Sequence, residues 1–542
     1  MASLAVIGAS WLTALLLIHR YIHPISNIIF YPLLLLGLAA RRIYYWRIYP
    51  FYVSKLRDLP QPDYPVHPLY GHLHGEAMNR NDGGATLNWA EAAPPGTHLL
   101  RILGMLNTER VVLVSLAAVQ EVLQTQCYDF EKPPFLSKSL NGVLGNGLLF
   151  AEGEVHQRQR KKLMPAFSFG RTKKLVPVFL EEATRLVKVF SNSIDAQSKS
   201  DDKKRPTVEL AKQVSRLTLD IIYRAGLGLR FDALENPDNE LARAYENIVS
   251  PKGKAGKLFF LLSALVPWFY RLPFERNNVM RQSRATINKF ATDAIQKKRE
   301  KFEAEKEKKN EDGKRDVDII SIMIEGGPEE WSVQGMADQL LTFLVAGHET
   351  TASSMTLAMD QLCKHPELQT RLRNEIHTAF PSGYSSIKTY EDVESLKFLN
   401  NFIREVLRFT PPVVATIRQA MKDSYVAGQF IPKGTFITVA PGVTNKLKSI
   451  WGEDAREFKP DRWNDPEILA GGNSMAFLTF IAGPRACIGR RFSELEFKCL
   501  LIALIGHYEF AFVEGEPEIK FTTRFTYRPE GNMPLEIKRV EW

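Results

Sequence analysis

A chain of 542 residues with 45% hydrophobic and 24% charged side chains can bury a large core and has ordinary globular make-up, which excludes a disordered or fibrous protein. The formal net charge of +9 raises nucleic acid as a partner, but no recognition motif and no interleaving of basic with aromatic residues accompanies it, which leaves an acidic protein or an anionic membrane surface. The four cysteines, Cys127, Cys363, Cys487 and Cys499, are too few and scattered for a disulfide framework and show no zinc-site spacing, which points to a reducing compartment.

Met1 to Ile18 carries no charged side chain and is rich in Leu, Ala and Ile, close to the roughly 20 residues needed to span a bilayer. A second apolar run, Ile25 to Ala40, is followed by Arg41, Arg42, Arg47, Lys55 and Arg57. Basic residues on that side favour a main domain in the cytosol. A cleaved signal peptide would need a basic stretch ahead of the first run, and there is none. Residues 1–45 therefore read as a membrane anchor of one or two apolar segments. Pro50, Pro60, Pro62, Pro65 and Pro68 then punctuate the chain up to Gly71. Proline fixes φ and cannot continue a helix, so residues 46–75 read as a stiff hinge and residues 76–542 as the main domain.

Arg101 to Ser115 alternates weakly and contains Val111-Val112-Leu113-Val114, which suits strands of a small sheet. Beyond Ser115 most of the chain is helical in pattern. Glu154 to Phe167 gathers Arg158, Arg160, Lys161 and Lys162, whose ordinary reading is a solvated basic face. Gly253 to Pro273 joins Phe259-Phe260-Leu261-Leu262 and Trp268-Phe269-Tyr270 to flanking lysines and Arg271, which suits either a membrane interface or a buried helix. Lys297 to Lys309 is almost entirely charged and reads as an exposed helix and loop.

A helical pattern runs from Trp331 to Lys364 with Ala346-Gly347-His348-Glu349-Thr350-Thr351 at its centre. Glycine there costs about 1 kcal/mol relative to alanine, so a buried helix carries it for a local reason. The expectation is a widened turn that opens a groove for a ligand or water, with Glu349 and Thr350 as an acid and a hydroxyl that relay protons. His348-Glu349 opens like the zinc-protease pattern H-E-x-x-H, but position 352 is alanine and the second metal ligand is missing. Glu405 and Arg408 lie i, i+3 on the helix Leu399 to Phe409, where they face the same way.

The most informative stretch is Phe480-Ile481-Ala482-Gly483-Pro484-Arg485-Ala486-Cys487-Ile488-Gly489, a loop that feeds the apolar-periodic run Arg490 to Gly506. Cys487 stands at the mouth of that helix, where unpaired N–H groups and the positive dipole end favour a thiolate, the form a soft iron ligand requires. Gly483 and Gly489 let the backbone approach a flat cofactor, Phe480 can shield the sulfur, and Arg485 can pair with an acidic edge. A lone intracellular cysteine is more often a small buried hydrophobe, yet F-x-x-G-x-R-x-C-x-G would arise by accident in roughly one chain in a thousand of this length.

These residues resemble the haem-binding signature of the cytochrome P-450 family, the haem-thiolate monooxygenases. Ile488 to Phe492 and Glu496 continue the likeness, while Ser493 stands where that family usually carries alanine. Ala346 to Thr351 is similar to the family's A-G-x-[DE]-T-[TS], in which glycine leaves room for oxygen and the acid and alcohol assist its protonation. The resemblance spans about Gly71 to the C-terminus. It implies a mainly α fold with a small β region, the haem-thiolate fold behind an N-terminal membrane anchor. Haem b would be held by Cys487 as axial iron ligand, with Arg160, Arg418 and Arg485 as propionate partners, and with His156 in place of the family's tryptophan. Glu405 and Arg408, joined by Arg462 of Phe458-Lys459-Pro460-Asp461-Arg462-Trp463, would form a structural triad, and the substrate pocket would draw on Phe130 to Phe150, Leu340 to Ala346, Val413 to Thr416 and Arg524 to Tyr527.

The implied reaction inserts one atom of dioxygen into a hydrophobic small molecule, a terpenoid or polyketide-type intermediate of fungal secondary metabolism by analogy. Electrons would come from NADPH through a separate flavoprotein reductase, with a b-type cytochrome as a further donor, and the protein would sit in the endoplasmic reticulum membrane facing the cytosol. A haem-thiolate isomerase that rearranges a peroxide, or a non-catalytic haem-binding protein, would keep the cysteine but would not need Glu349 and Thr350.

Overall fold

The computed structural model describes residues 27–74, 84–136, 145–200, 205–228, 230–236, 239–249, 272, 274–307, 318–327, 331–470, 475–523 and 525–542. They pack into two compact units, the first drawing on residues up to 133, 415–455 and 481–485, the second on 134–414, 456–480 and 486–542. The segment Met1 to Ile18, residues 253–271 of the apolar aromatic stretch, and Arg524 lie outside the described residues.

The first unit opens with helix α1, Asn27–Ile43, which contains no acidic residue in its first turn and ends on Arg41 and Arg42, where cations complement the negative end of the helix dipole. The described part of the second apolar run, residues 27–40, falls on this helix, and Leu33, Leu35, Leu36 and Leu38 are exposed along it. Its 17 residues reach about 26 Å at 1.5 Å each, short of a hydrocarbon core of about 30 Å. Among the described residues no helix is long and apolar enough to cross a membrane. The chain continues as a π-helix, Tyr44–Val53, which is tied down rather than free. Trp46 Nε1 donates to the Pro68 carbonyl (2.6 Å), Asn107 Nδ2 donates to the Trp46 carbonyl (2.9 Å), and buried Arg101 donates to the Pro50 carbonyl and to Gln61 Oε1 (2.9 Å). Arg101 also pairs with Glu109 at 2.8 Å. A buried guanidinium has to satisfy its donors, and here it does so by fastening the proline-rich stretch to the sheet.

That sheet has five strands in the order Leu99–Leu103, Glu109–Leu113, Phe436–Val439, Thr416–Ala420 and Phe130–Glu131. The expected strands around Arg101 to Ser115 are its first antiparallel pair, with Leu100 opposite Val112. Alternation puts Leu100, Ile102, Val112 and Val114 into one core with Leu87, Ala440, Val443 and Leu447.

The second unit is mainly helical. Helix α2, Gly153–Leu163, has Glu154 in its first turn and Arg160, Lys161 and Lys162 in its last, the charge order the dipole favours. Helix α3, Val333–Lys364, is capped by the Ser332 hydroxyl, which accepts from the Gly335 N–H, and is buried along most of its length; a helix that is apolar on nearly all faces belongs in a core. Helix α4, Lys397–Phe409, and helix α5, Arg490–His507, both pack against α3. A three-stranded sheet, Thr207–Glu209, Pro534–Arg539 and Tyr508–Phe512, and the hairpin Phe521–Thr523 with Tyr527–Pro529 complete this unit's strands among the described residues. The predominance of helix and the small sheets match the mainly α fold with a small β region expected from the sequence.

Candidate functional site

The loop before α5 is closed by the Cys487 N–H, which donates to the Phe480 carbonyl at 2.8 Å. Gly489 is the residue at the mouth of α5. The Cys487 side chain is accessible to solvent, although protein surrounds it on a wider scale, so the sulfur is an available donor deep in the protein. Burial pushes its thiol up from the ordinary value, while the Gly489 N–H and the Arg160 charge pull it down. The helix mouth alone therefore does not make the thiolate that the sequence led us to expect; desolvation outweighs it, and a bound metal has to complete the ionisation. Phe480 lies beside this loop under the Arg490 guanidinium, 5.2 Å from the ring centre.

In the first unit, Gly483 has φ +69° and a Cβ there would lie 2.1 Å from the Leu123 carbonyl, so only glycine fits the turn. Arg485 follows, its guanidinium 5.0 Å from the centre of the Tyr128 ring. Arg418 is buried, and its Nη1 donates to Thr416 Oγ1 and to the Ile417 carbonyl, both at 3.0 Å. Both arginines bear on Cys127, where burial raises the thiol and their charges lower it. The structure thus brings Arg485 and Arg418 to one neighbourhood in the first unit, and Arg160 to Cys487 in the second. His156 is buried on α2.

Within the second unit, the accessible Cys487 thiol with the Arg160 charge acting on it fits the soft donor a haem iron requires. Among the described residues no group of three His, Cys, Asp or Glu offers a competing metal site.

Helix α3 corrects one expectation. It runs as unbroken α-helix through Ala346 to Thr351, with no widened turn. Thr350 Oγ1 donates to the Ala346 carbonyl (2.8 Å), Thr351 Oγ1 to the Gly347 carbonyl (3.3 Å), and Ser354 Oγ to the Thr350 carbonyl (3.0 Å). Hydroxyls bonded back by four residues are how a helix accommodates such side chains. Gly347 has a packing reason as well, because a Cβ there would come within 2.9 Å of Ile222 Cδ1. Ala346 and Thr350, one turn apart on the same face, remain partly accessible, while Leu340 to Val345 are buried in the core, so most of that expected pocket wall packs inward.

Glu349 and Thr350 are not hydrogen-bonded to each other. Glu349 is buried, and its Oε1 receives Arg528 Nη1 at 2.7 Å and Thr526 Oγ1 at 3.3 Å; Thr526 in turn receives Ser353 Oγ at 2.8 Å. His348 points elsewhere, 2.9 Å from Ser215 Oγ, and burial with the nearby Arg528 charge pushes it down to about 3, so it is neutral. Sequence reasoning missed Arg528 and Ser353, and named Thr526 only within the pocket segment Arg524 to Tyr527 and not as a partner of Glu349, since nothing in the spacing relates a helix to a hairpin 179 residues on. Glu496 on α5 is buried beside Thr351, and desolvation holds its carboxyl well above the usual range.

Glu405, Arg408 and Arg462 come together in one buried cluster, which Trp463 joins. Glu405 accepts Arg408 Nη2 and Arg462 Nε on Oε1 (2.7 and 3.1 Å), and Arg408 Nε and Trp463 Nε1 on Oε2 (2.8 and 3.0 Å). Trp463, next to Arg462, was visible in the sequence but not assigned.

Comparison with known proteins agrees with this chemistry. The cytochrome P-450 family model matches residues 62–535. The chain is 34% identical over 526 residues to cytochrome P-450 monooxygenase sphH of Aspergillus fumigatus, covering 95% of this chain and 94% of that protein. It is 32% identical to cytochrome P-450 monooxygenase ALT8 of Alternaria alternata, with both chains covered in full. With the cysteine loop, the buried triad and these matches in hand, the chain belongs to the cytochrome P-450 family.

Proposed function

We propose that this haem-thiolate monooxygenase oxidises a hydrophobic small molecule of fungal secondary metabolism, a terpenoid or polyketide-type intermediate, and that Cys487 would ligate the iron while Arg160, Arg418, Arg485 and His156 would serve as propionate partners. Haem b, when bound, supplies the activation of dioxygen with electrons from a redox partner. The observation that carries the assignment is the accessible Cys487 sulfur at the head of α5, with the Arg160 charge acting on it. Around it, Phe480 shields the sulfur, Gly489 gives a backbone N–H, and the triad Glu405, Arg408 and Arg462 fixes the second unit's framework. Glu349 and Thr350 handle protons. Their side chains diverge by about 100° on the helix, so a proton passing between them travels by water rather than directly. Thr350→Ala would remove the hydroxyl while keeping helix propensity; product formed per NADPH consumed should fall several-fold with haem content unchanged, and an unchanged ratio removes Thr350 from the mechanism.

For the redox partner, an NADPH-dependent flavoprotein reductase, we propose docking on the exposed side of α2. Arg158 and Lys161 are exposed there, and Val155, Met164 and Phe169 are exposed apolar residues of the same stretch. A basic rim around apolar contacts suits an acidic flavoprotein, with an attraction that salt screens over about 8–10 Å. Reversing Lys161 and Lys162 to Glu should slow reductase-supported turnover at low salt by about tenfold and leave a peroxide-driven reaction unchanged; equal loss in both assays would contradict the docking role.

We place the protein on the endoplasmic reticulum membrane with its catalytic part in the cytosol, because α1 exposes its leucines, ends on arginines, and no acidic residue precedes Asp58. Truncation of residues 2–43 keeps the fastened stretch Tyr44–Val53 and should shift the folded protein towards the soluble fraction on sedimentation. A truncated protein as tightly bound as the full chain would contradict the anchor.

A further inference from the structure

Glu349 is buried, only 3% of its side chain being accessible, and a carboxyl in that position would by desolvation keep its proton. It does not stand alone. The Arg528 guanidinium, 21% accessible, meets Oε1 at 2.7 Å from the hairpin strand Tyr527–Pro529. An opposite charge in contact favours the ionised form. The same oxygen receives Thr526, itself fully buried, and Thr526 receives Ser353, which lies one turn beyond Glu349 on α3. Two donors thus meet one carboxylate oxygen from the hairpin side, and the second of them is itself held by Ser353 of α3. Of the titratable groups near it, His348 is neutral and faces Ser215, and Glu496 meets α3 at Thr351.

We infer that Arg528 is a positioning residue for Glu349: with Thr526 and Ser353 it holds the carboxylate against the hairpin, ionised and oriented to accept a proton from the solvent side. The inference rests on the reading of Glu349 as a proton-handling acid. Arg528 is the more accessible member of the pair, so the proton that Glu349 passes on is replaced from water along the hairpin side. For every proton relayed, one goes onto the carboxylate and one comes off it, with no net change. Arginine suits the task because its guanidinium stays charged and fixes direction as well as charge.

The full-length protein, loaded with haem and supplied with a reductase, would be compared with Arg528→Gln, Arg528→Lys, Glu349→Gln and the double variant Arg528→Gln/Glu349→Gln. Product per NADPH should fall about five- to tenfold in Arg528→Gln, a modest part of what proton-transfer catalysis can contribute. Arg528→Lys should recover most of it, and Arg528→Gln should add no loss in the Glu349→Gln background. Infrared spectra of the purified proteins without turnover give a separate reading: Arg528→Gln should gain a protonated-carboxyl band that the double variant lacks. A loss that persists undiminished in the Glu349→Gln background, or spectra without that band, would overturn the positioning role. If Glu349→Gln itself leaves the ratio unchanged, the proton-handling reading fails, and the inference built on it falls too; the infrared band then reports only whether the ion pair sets the charge of Glu349.

Discussion

Replacing Cys487 with alanine should abolish the red-shifted Soret band of the reduced carbon monoxide complex and all reductase-supported turnover. The thiolate is the one soft donor the loop offers, and its push of electron density towards iron is what distinguishes this ligation from that of imidazole. Burial raises the free thiol, and the Gly489 N–H and Arg160 oppose that only in part. Uptake of haem by the apoprotein should therefore release a proton, because a ligand that is a thiol beforehand must become a thiolate. Titration of haem into weakly buffered apoprotein measures this directly. Retention of the band in Cys487→Ala, or equal proton release from the variant, would remove this cysteine from the site.

The second large effect is expected at Glu405. This carboxylate is completely buried and neutralises Arg408, also completely buried, and Arg462, while taking the Trp463 indole N–H and the Lys459 backbone N–H, the last at 2.9 Å. Glu405→Leu leaves two guanidinium charges without their counter-charge in a place water cannot reach. Breaking a buried pair by removing one partner costs about 3–5 kcal/mol, a large share of the stability of any folded protein. The variant should give little haem-loaded protein and unfold at markedly lower temperature, whereas Glu405→Gln, which keeps acceptor geometry on one oxygen, should be intermediate. Thermal unfolding of Glu405→Leu indistinguishable from the parent would show that the cluster is not what holds this part of the second unit together.

The exposed and the buried ion pairs differ in what they do. Arg371 and Asp461 meet in two hydrogen bonds at 2.7 and 2.9 Å, yet both are about half exposed, and such a pair is worth little. The triad has ordinary distances too, and its weight comes from burial. An E-x-x-R spacing cannot reveal that difference, because facing the same way on a helix is common to both kinds of pair.

The sequence by itself determined the features that are local in the chain. The glycines, the cysteine and the helix after them lie within a few residues, so the tight turn at Gly483 and the start of the helix after Gly489 were legible there. The same holds for the periodicity that marks α3 and α5, and for the strands around Val111 to Val114. Tertiary structure alone decided what depends on contacts between distant segments. Gly347 reads as a break in a helix until Ile222 is seen filling the space above it; Glu349 reads as the partner of Thr350 until Arg528 and Thr526 arrive from a hairpin; and Cys487 reads as a ready thiolate until the surrounding protein is seen to desolvate it. Proline spacing suggested a stiff connector, but Arg101 is what fastens it, through hydrogen bonds to Pro50 and Gln61. The physical reason is the same each time: spacing fixes which way neighbouring side chains point, whereas desolvation, ion pairing and close packing depend on what the rest of the fold brings alongside them.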